Sequence, residues 1–316
     1  MSAKRSRIGS RRLDGVLLLD KPTGISSNAA LQEAKRLFRA AKAGHSGTLD
    51  PLASGVLPVL FGEATKFSGF LLDSDKMYLA QVQLGVTTTT GDAEGEVTQR
   101  RRVAVDDGAI EAALARFRGE SAQVPPMYSA LKRNGRPLYE LARQGAVVAR
   151  EPRRVVIRTL DTIGRSGDVL ELRVLCSKGT YLRTLAEDLG SILGTGAHLA
   201  ALRRTAAGPF TVEQALSLES LVAMDENGRD RTLMPVDGLL ESLPLVRLDA
   251  ARARSFCNGR PVPQLPAGQG RCRVYGDAGA LLGVGEVSAT GELRPVRLLA
   301  GLPGVAQAAE IPGKNL

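Results

Sequence analysis

Tryptophan is absent from this chain of 316 residues, and aromatic residues of all kinds make up only 4% of it. Any task that needs a flat ring, such as stacking on a base, therefore falls on few side chains, among them five tyrosines. Cysteine is almost as scarce. Cys176, Cys257 and Cys272 form no CxxC pair, and so small and odd a set excludes a disulfide framework and fits a reducing, cytoplasmic compartment. With only two histidines, His45 and His198, and no metal-site spacing, no metal is expected. No apolar run approaches the roughly 18–20 residues of a membrane span; Val16-Leu17-Leu18-Leu19 is strand-sized. The basic N-terminus (Lys4, Arg5, Arg7, Arg11, Arg12) is followed by no apolar stretch. It is no secretory signal and reads as a disordered cationic arm over residues 1–12. Neither a Walker A loop nor a GxGxxG is present, so nucleotide-dependent chemistry has no support.

What is present is ordinary globular material: 43% hydrophobic and 24% charged residues, with a formal net charge of +9. At about 150 residues per domain, the length predicts two domains. An apolar strand over 15–19 is broken by the turn Asp20-Lys21-Pro22-Thr23-Gly24. Ser26 or Ser27 caps a helix over about 28–42, ended by Gly44. A Gly-rich loop, His45 to Gly55, follows, then a second helix over 63–72. In the strand 77–84, Tyr78, Ala80, Val82 and Leu84 share one face. Helices are predicted over 106–118, 137–144 and about 180–189, the last stopped by Gly190, and strands over 153–160 and 169–176. Interleaved elements with hairpin-like pairs favour a mixed α+β sheet.

Charge is uneven. Residues 132–158 hold eight basic and two acidic side chains, whereas 211–245 hold seven acidic and two basic, a helical lead-out facing away from any polyanion. Between 246 and 300, short alternating segments separated by Gly and Pro read as a small β-rich domain.

Three stretches could carry chemistry. In the loop His45-Ser46-Gly47-Thr48-Leu49-Asp50-Pro51, one carboxylate sits among small residues that let a ligand approach the backbone. Asp50 reads either as a functional acid or as the cap of a short helix. No nucleophile elbow accompanies the Ser, His and Asp of this loop, so a hydrolase triad is not supported. Lys178-Gly179-Thr180-Tyr181-Leu182-Arg183 sets an aromatic ring and a guanidinium at a strand-to-helix junction, either as a helix start over a core tyrosine or as a place for Arg183 to grip a carboxylate. Tyr78 reads as core, or as a platform for an unpaired base. The run Leu202-Arg203-Arg204-Thr205, alone, reads as a solvated face.

Seven ordered motifs join these stretches: Asp20-Lys21-Pro22-Thr23-Gly24; the loop Gly44 to Leu57; Lys76-Met77-Tyr78; Gly91-Asp92-Ala93-Glu94-Gly95; Gln123-Val124-Pro125-Pro126-Met127-Tyr128-Ser129-Ala130-Leu131-Lys132; Cys176 to Arg183; and Leu202 to Phe210. In that order, over about residues 13–210, they resemble the bacterial tRNA pseudouridine synthase B (TruB) family. Asn258-Gly259-Arg260-Pro261-Val262 and Gly283-Val284-Gly285-Glu286 are similar to a PUA-type RNA-binding domain. The resemblance implies a pseudouridine synthase fold of α+β class, with a mixed, mostly antiparallel central sheet and a catalytic cleft. It implies a catalytic domain over 13–245, a PUA-like domain over 246–303 and a tail over 304–316. It also implies isomerisation of uridine to pseudouridine at position 55 of the tRNA T-loop, without metal, nucleotide or organic cofactor. The T-arm of tRNA is the implied partner, bound by a monomer with no membrane and no obligatory protein partner.

By the same resemblance, Asp50 is the catalytic aspartate, Tyr78 stacks on the target base and Arg183 pairs with Asp50. His45 fills the space left by the flipped base. Tyr181 and Leu202 contact the base, and Lys21 and Lys132 are RNA contacts. The chemistry agrees. The C1′–N1 bond must break and a C1′–C5 bond form with the same uracil; a carboxylate can attack C1′ or C6, or assist departure of the base to a glycal. Arg183 is expected to lower the Asp50 pKa. The base must leave its stack, at a cost of a few kcal/mol. Met77 and Ser27 depart from the family pattern or stand where it varies, and both are expected to lie away from the chemistry. The competing reading is a tRNA-binding folding helper with incidental catalysis. A guide-RNA-dependent relative is a third, for which the two-domain layout gives no sign.

Overall fold

Burial follows the alternation in the sequence. In the strand Lys76–Leu84, Tyr78, Ala80, Val82 and Leu84 are buried while Leu79 and Gln81 face outward. The structure, a computed structural model, describes residues 9–129, 131–133, 135–146, 148–263 and 268–300, without the side chains of 132, 133, 137, 139 and 143. The expected tail and the first eight residues of the arm lie outside that set.

Ten strands form the main sheet. Its order is Leu216–Ser217, Gly15–Lys21, Ala53–Phe61, Ala197–Ala207, Lys76–Leu84, Val169–Cys176, Arg153–Ser166 and Gly119–Gln123, with Ala43–His45 and Phe210–Thr211 added at the sides. Two pairings are parallel, Gly15–Lys21 with Leu216–Ser217 and Ala197–Ala207 with Ala53–Phe61; the others are antiparallel. The expected mixed, mostly antiparallel sheet is thus present.

Six of its strands are missing from the sequence reading, and the two longest of them are Ala53–Phe61 and Ala197–Ala207. Ala53–Phe61 is apolar without alternation because both of its faces are covered. Leu57, Val59 and Phe61 pack under the helix Ser27–Leu37, and Val56 and Leu60 pack on Ala64, Phe67 and Leu71. Ala197–Ala207 is central rather than a solvated basic run, since it lies between Ala53–Phe61 and Lys76–Leu84. Helix ends also shift. Ser26 is the cap and accepts a hydrogen bond from the Ala29 amide. The helix closes at Leu37, not near 42, because Arg39 adopts φ +52° and Ala43–His45 pairs with Ala53–Phe61. Gly190 does not stop its helix, which runs Leu182–Ile192. Its role is close approach: a Cβ there would lie 2.2 Å from the Ala197 amide nitrogen. The arm expected to be disordered through residue 12 is anchored at Arg11, which pairs with Asp230 and donates to the Phe38 carbonyl.

A second sheet, Leu245–Leu248, Gly270–Gly276, Leu281–Val287 and Leu293–Leu298, carries the helix Ala250–Cys257. It is joined to the first part by core and polar contacts. Val284 is buried with Leu239 and Leu240, the Tyr275 hydroxyl donates to Asp237 at 2.8 Å, and the Arg271 guanidinium lies 5.9 Å from the Phe70 ring centroid. Among the described residues no helix is long and apolar enough to cross a membrane.

Candidate active site

Three neighbouring elements deliver the central side chains. Lys76–Leu84 presents Tyr78, the first turn of Leu182–Ile192 presents Arg183, and the loop before Ala53–Phe61 presents Asp50. They border a cleft of about 510 Å³ that is also lined by Tyr181, Leu202, Arg204 and Lys76. Arg153, Arg154 and Lys178 give the lining a basic character.

Arg183 is 4% exposed and fully engaged. Its Nη2 is 2.9 Å from Asp50 Oδ2, its Nε is 3.5 Å from Asp92 Oδ2, and it donates to the carbonyls of Thr90 and Tyr128. Asp92 is buried and accepts further hydrogen bonds from the Thr90 hydroxyl and the Glu94 amide. The side chain of Asp50, by contrast, is 42% accessible and faces the cleft. One guanidinium therefore bridges a buried carboxylate and an open one.

Arg183 lowers the Asp50 pKa as expected, but the net shift is upward. Burial raises its pKa above the usual carboxylate range, Arg183 and Lys21 pull it down, and Asp92 pushes it up. Burial outweighs the pairing because the low-dielectric walls disfavour the charged form and a second carboxylate shares the same arginine.

Tyr78 is buried, with Arg204 as its cross-strand neighbour. Burial raises the Tyr78 pKa and the Arg204 charge opposes it. Arg204 itself is 1% exposed, which overturns its reading as part of a solvated face. Its Nε donates to the Val56 carbonyl at 2.8 Å and its Nη2 to the Gly47 carbonyl at 3.3 Å, so it props the loop that carries Asp50. Gly55 makes room for it: a Cβ there would sit 2.2 Å from the Arg204 carbonyl oxygen. Arg203 turns the other way and pairs with Asp20 at 2.8 Å.

Tyr181 is pinned through its backbone. The buried Gln123 accepts from the Tyr181 amide at 2.8 Å and donates to the Tyr181 carbonyl at 3.0 Å. Ser27 does the same for Leu49, the residue before Asp50. Lys76 Nζ donates to the carbonyls of Leu71, Leu72 and Ser74, closing the end of the helix Ser68–Leu72, and burial lowers its pKa to about 8.

Other expected RNA contacts fare differently. Lys21 is 0% exposed and donates to the carbonyls of Pro22 and Ile25. Burial lowers its pKa to about 8, while Asp50 and Glu94 oppose the shift. His45 is half-buried on Ala43–His45 and does not line the cleft. Its Nδ1 has no hydrogen-bond partner, and burial, then Arg204, lowers its pKa. Lys132 lies on a two-residue strand facing Arg136–Pro137; its side chain is outside the described residues. The sequence reading gave no place in the site to Asp92, Arg204, Gln123 or Ser27. Asp92, Gln123 and Arg204 lie inside the ordered motifs, but nothing in their spacing signals a partner dozens of residues away. Among the described residues no cluster of three or more His, Cys, Asp or Glu side chains could hold a metal ion.

The motif order and this geometry meet in the comparisons. The N-terminal domain of TruB family pseudouridylate synthases matches residues 35–182, and the tRNA pseudouridylate synthase B C-terminal domain matches 183–241. A further C-terminal domain, of pseudouridine synthase II TruB, matches 244–299. The chain belongs to the TruB family of pseudouridine synthases. It is thus an isomerase that rearranges uridine. The tRNA pseudouridine synthase B of Dechloromonas aromatica is 57% identical over 290 residues, covering 92% of this chain and 96% of that protein. The protein of the same name from Burkholderia mallei is 56% identical over 303 residues, covering 93% and 97%. Among solved structures, a Cbf5-Nop10-Gar1 complex matches with TM-score 0.70 and 28% identity, covering 90% of this chain and 84% of that one. An H/ACA RNP bound to a substrate RNA containing 2′-deoxyuridine matches with TM-score 0.69 and 25% identity, covering 92% and 86%. The match over 244–299 takes in the second sheet, which the boundary expected at 246 misses by a single residue, Leu245.

Proposed function

We propose that this TruB-family chain isomerises uridine 55 in the T-loop of tRNA. The observation that carries the reading is the Asp50 carboxylate, open to the cleft and held at 2.9 Å by a buried Arg183. The names of the 57% and 56% identical relatives support tRNA as the substrate. Tyr78, Tyr181 and Leu202 line the same cleft and supply apolar and aromatic surface for an extruded uracil, which offsets the unstacking cost. Asp50 acts on the ribose or the base: at C1′, at C6, or by assisting departure to a glycal. Each route needs the carboxylate ionised when the base excludes water, and Arg183 opposes the rise in pKa that burial brings. The basic lining residues Arg153, Arg154 and Lys178 attract the flanking phosphates. The protein works as a monomer in the cytoplasm without an obligatory protein partner, unlike the Cbf5 complexes of similar fold.

The test is incubation of the purified protein with an unmodified tRNA transcript and no cofactor, with pseudouridine mapped by its chemical adduct. One modified site, at position 55, is expected, and none in a transcript carrying cytidine there. Modification elsewhere refutes the assignment. Asp50→Asn separates catalysis from a folding-helper role: turnover is expected to fall about 10⁴-fold with RNA affinity retained.

A further inference from the structure

Ser27 sits at the start of the helix Ser27–Leu37, 1% exposed. Its hydroxyl is used twice on one residue of the catalytic loop. It donates to the Leu49 carbonyl at 2.9 Å and accepts from the Leu49 amide at 2.7 Å. Leu49 immediately precedes Asp50, and its side chain is buried in the same core as Tyr78 and Leu182. Ser27 belongs to a helix packed on the other core, around Leu17 and Leu57. The hydroxyl therefore ties the carboxylate's own backbone to an element outside the cleft.

The rest of the loop makes that tie decisive. Gly47 and Gly55 take φ of +88° and +109°, so the backbone between them is easily redirected. Its other anchors include the Arg204 bond to the Gly47 carbonyl, the Gly24 amide to the Pro51 carbonyl at 2.8 Å, the Ala53 amide to the Asp50 carbonyl at 3.0 Å, and Glu94 at the Leu52 backbone. Of these only Ser27 satisfies both backbone groups of the residue next to Asp50. Without the hydroxyl, a buried N–H and a buried C=O lose their partner, and the loop must move to find water or other groups.

We infer that Ser27 is a positioning residue for Asp50, setting the carboxylate against Arg183 through the backbone of Leu49. It touches no substrate. A displacement of about 1 Å at a reacting group can cost on the order of a hundredfold in rate. The inference rests on the reading of Asp50 as the catalytic acid, and the experiment keeps the two apart.

The variants are Ser27→Ala, Ser27→Cys and, as a control, Asp50→Asn. Each is assayed for single-turnover pseudouridine formation at saturating tRNA transcript, for transcript Kd and for Tm. Ser27→Ala is expected to lower the rate about 10- to 100-fold with Kd within about twofold. Ser27→Cys, a weaker donor of similar size, is expected to fall between Ala and wild type. A purely structural role would lower Tm and leave the rate of the folded, saturated enzyme unchanged. A Ser27→Ala rate within about twofold of wild type, with Asp50→Asn inactive, overturns the inference and leaves Asp50 standing. An active Asp50→Asn overturns the reading of Asp50 itself. If Ser27→Ala does not fold, the Cys variant decides: a wild-type rate there overturns the inference, and a reduced rate at normal Kd upholds it.

Discussion

Removing the Arg183 guanidinium is expected to damage stability and turnover for separable reasons, because it serves two carboxylates in different surroundings. Its Nε faces Asp92, whose side chain is 4% accessible, while its Nη2 faces Asp50, which is 42% accessible. Arg183→Met leaves Asp92 as an uncompensated buried charge, and breaking a buried pair in this way costs about 3–5 kcal/mol. Asp50 contributes much less to that loss, since water from the cleft can solvate it. The thermodynamic remedy is therefore Asp92→Asn, which removes the stranded charge and retains an oxygen to accept from the Thr90 hydroxyl and the Glu94 amide. The double variant Arg183→Met/Asp92→Asn is expected to recover most of the loss, and Arg183→Met/Asp50→Asn little of it. Neither recovers turnover, because both leave the reacting carboxylate unpaired or absent. Urea denaturation supplies the stabilities, and single-turnover pseudouridine formation the rates. If the Asp50→Asn double variant is the one rescued, or if Arg183→Met turns over normally, Arg183 does not divide its work in this way.

Tyr78→Phe is expected to retain tRNA binding and Tyr78→Leu to weaken base capture by about 1–3 kcal/mol, read with a fluorescent base analogue at the target position; equal, full activity in both removes Tyr78 from the site. Gly55→Ala is expected to cost more than about 3 kcal/mol, because its Cβ would meet the Arg204 carbonyl at 2.2 Å. Gly24→Ala, also at positive φ but with open space around it, isolates the cost of backbone strain alone, and similar Tm losses for the two would refute the clash. Truncation after residue 244 exposes Leu239 and Leu240, which are buried with Val284, so Tm is expected to drop rather than stay unchanged as for an independent module. Lys21 loses its proton near pH 8 in the folded protein but near 10.5 when unfolded, so the native state is penalised below pH 8 and gains as pH rises between those values. The Tm of wild type relative to Lys21→Met should accordingly increase from pH 7.5 to 9.5; a constant difference refutes the depressed pKa.

Elements whose partners are local are legible in the chain. Period-two burial in 77–84 and 169–176 and a serine cap at 26 or 27 are written in neighbouring residues, and the structure reproduces the strands and settles the cap on Ser26. The ordered motifs also determined the family, because their combination is specific even where each motif is not. Three features were settled only by the tertiary structure. Ala53–Phe61 carries no alternation, since a strand covered on both faces has no polar side to display. Arg204 looks identical to Arg203 in the sequence, yet one is sealed among backbone carbonyls and the other pairs with Asp20 near the surface. The pKa of Asp50 depends on Arg183, Lys21 and Asp92 together with the walls of the cleft. Burial and pairing are properties of spatial neighbours, and the neighbours of Asp50 come from residues 21, 92 and 183, separations at which local patterning carries no information.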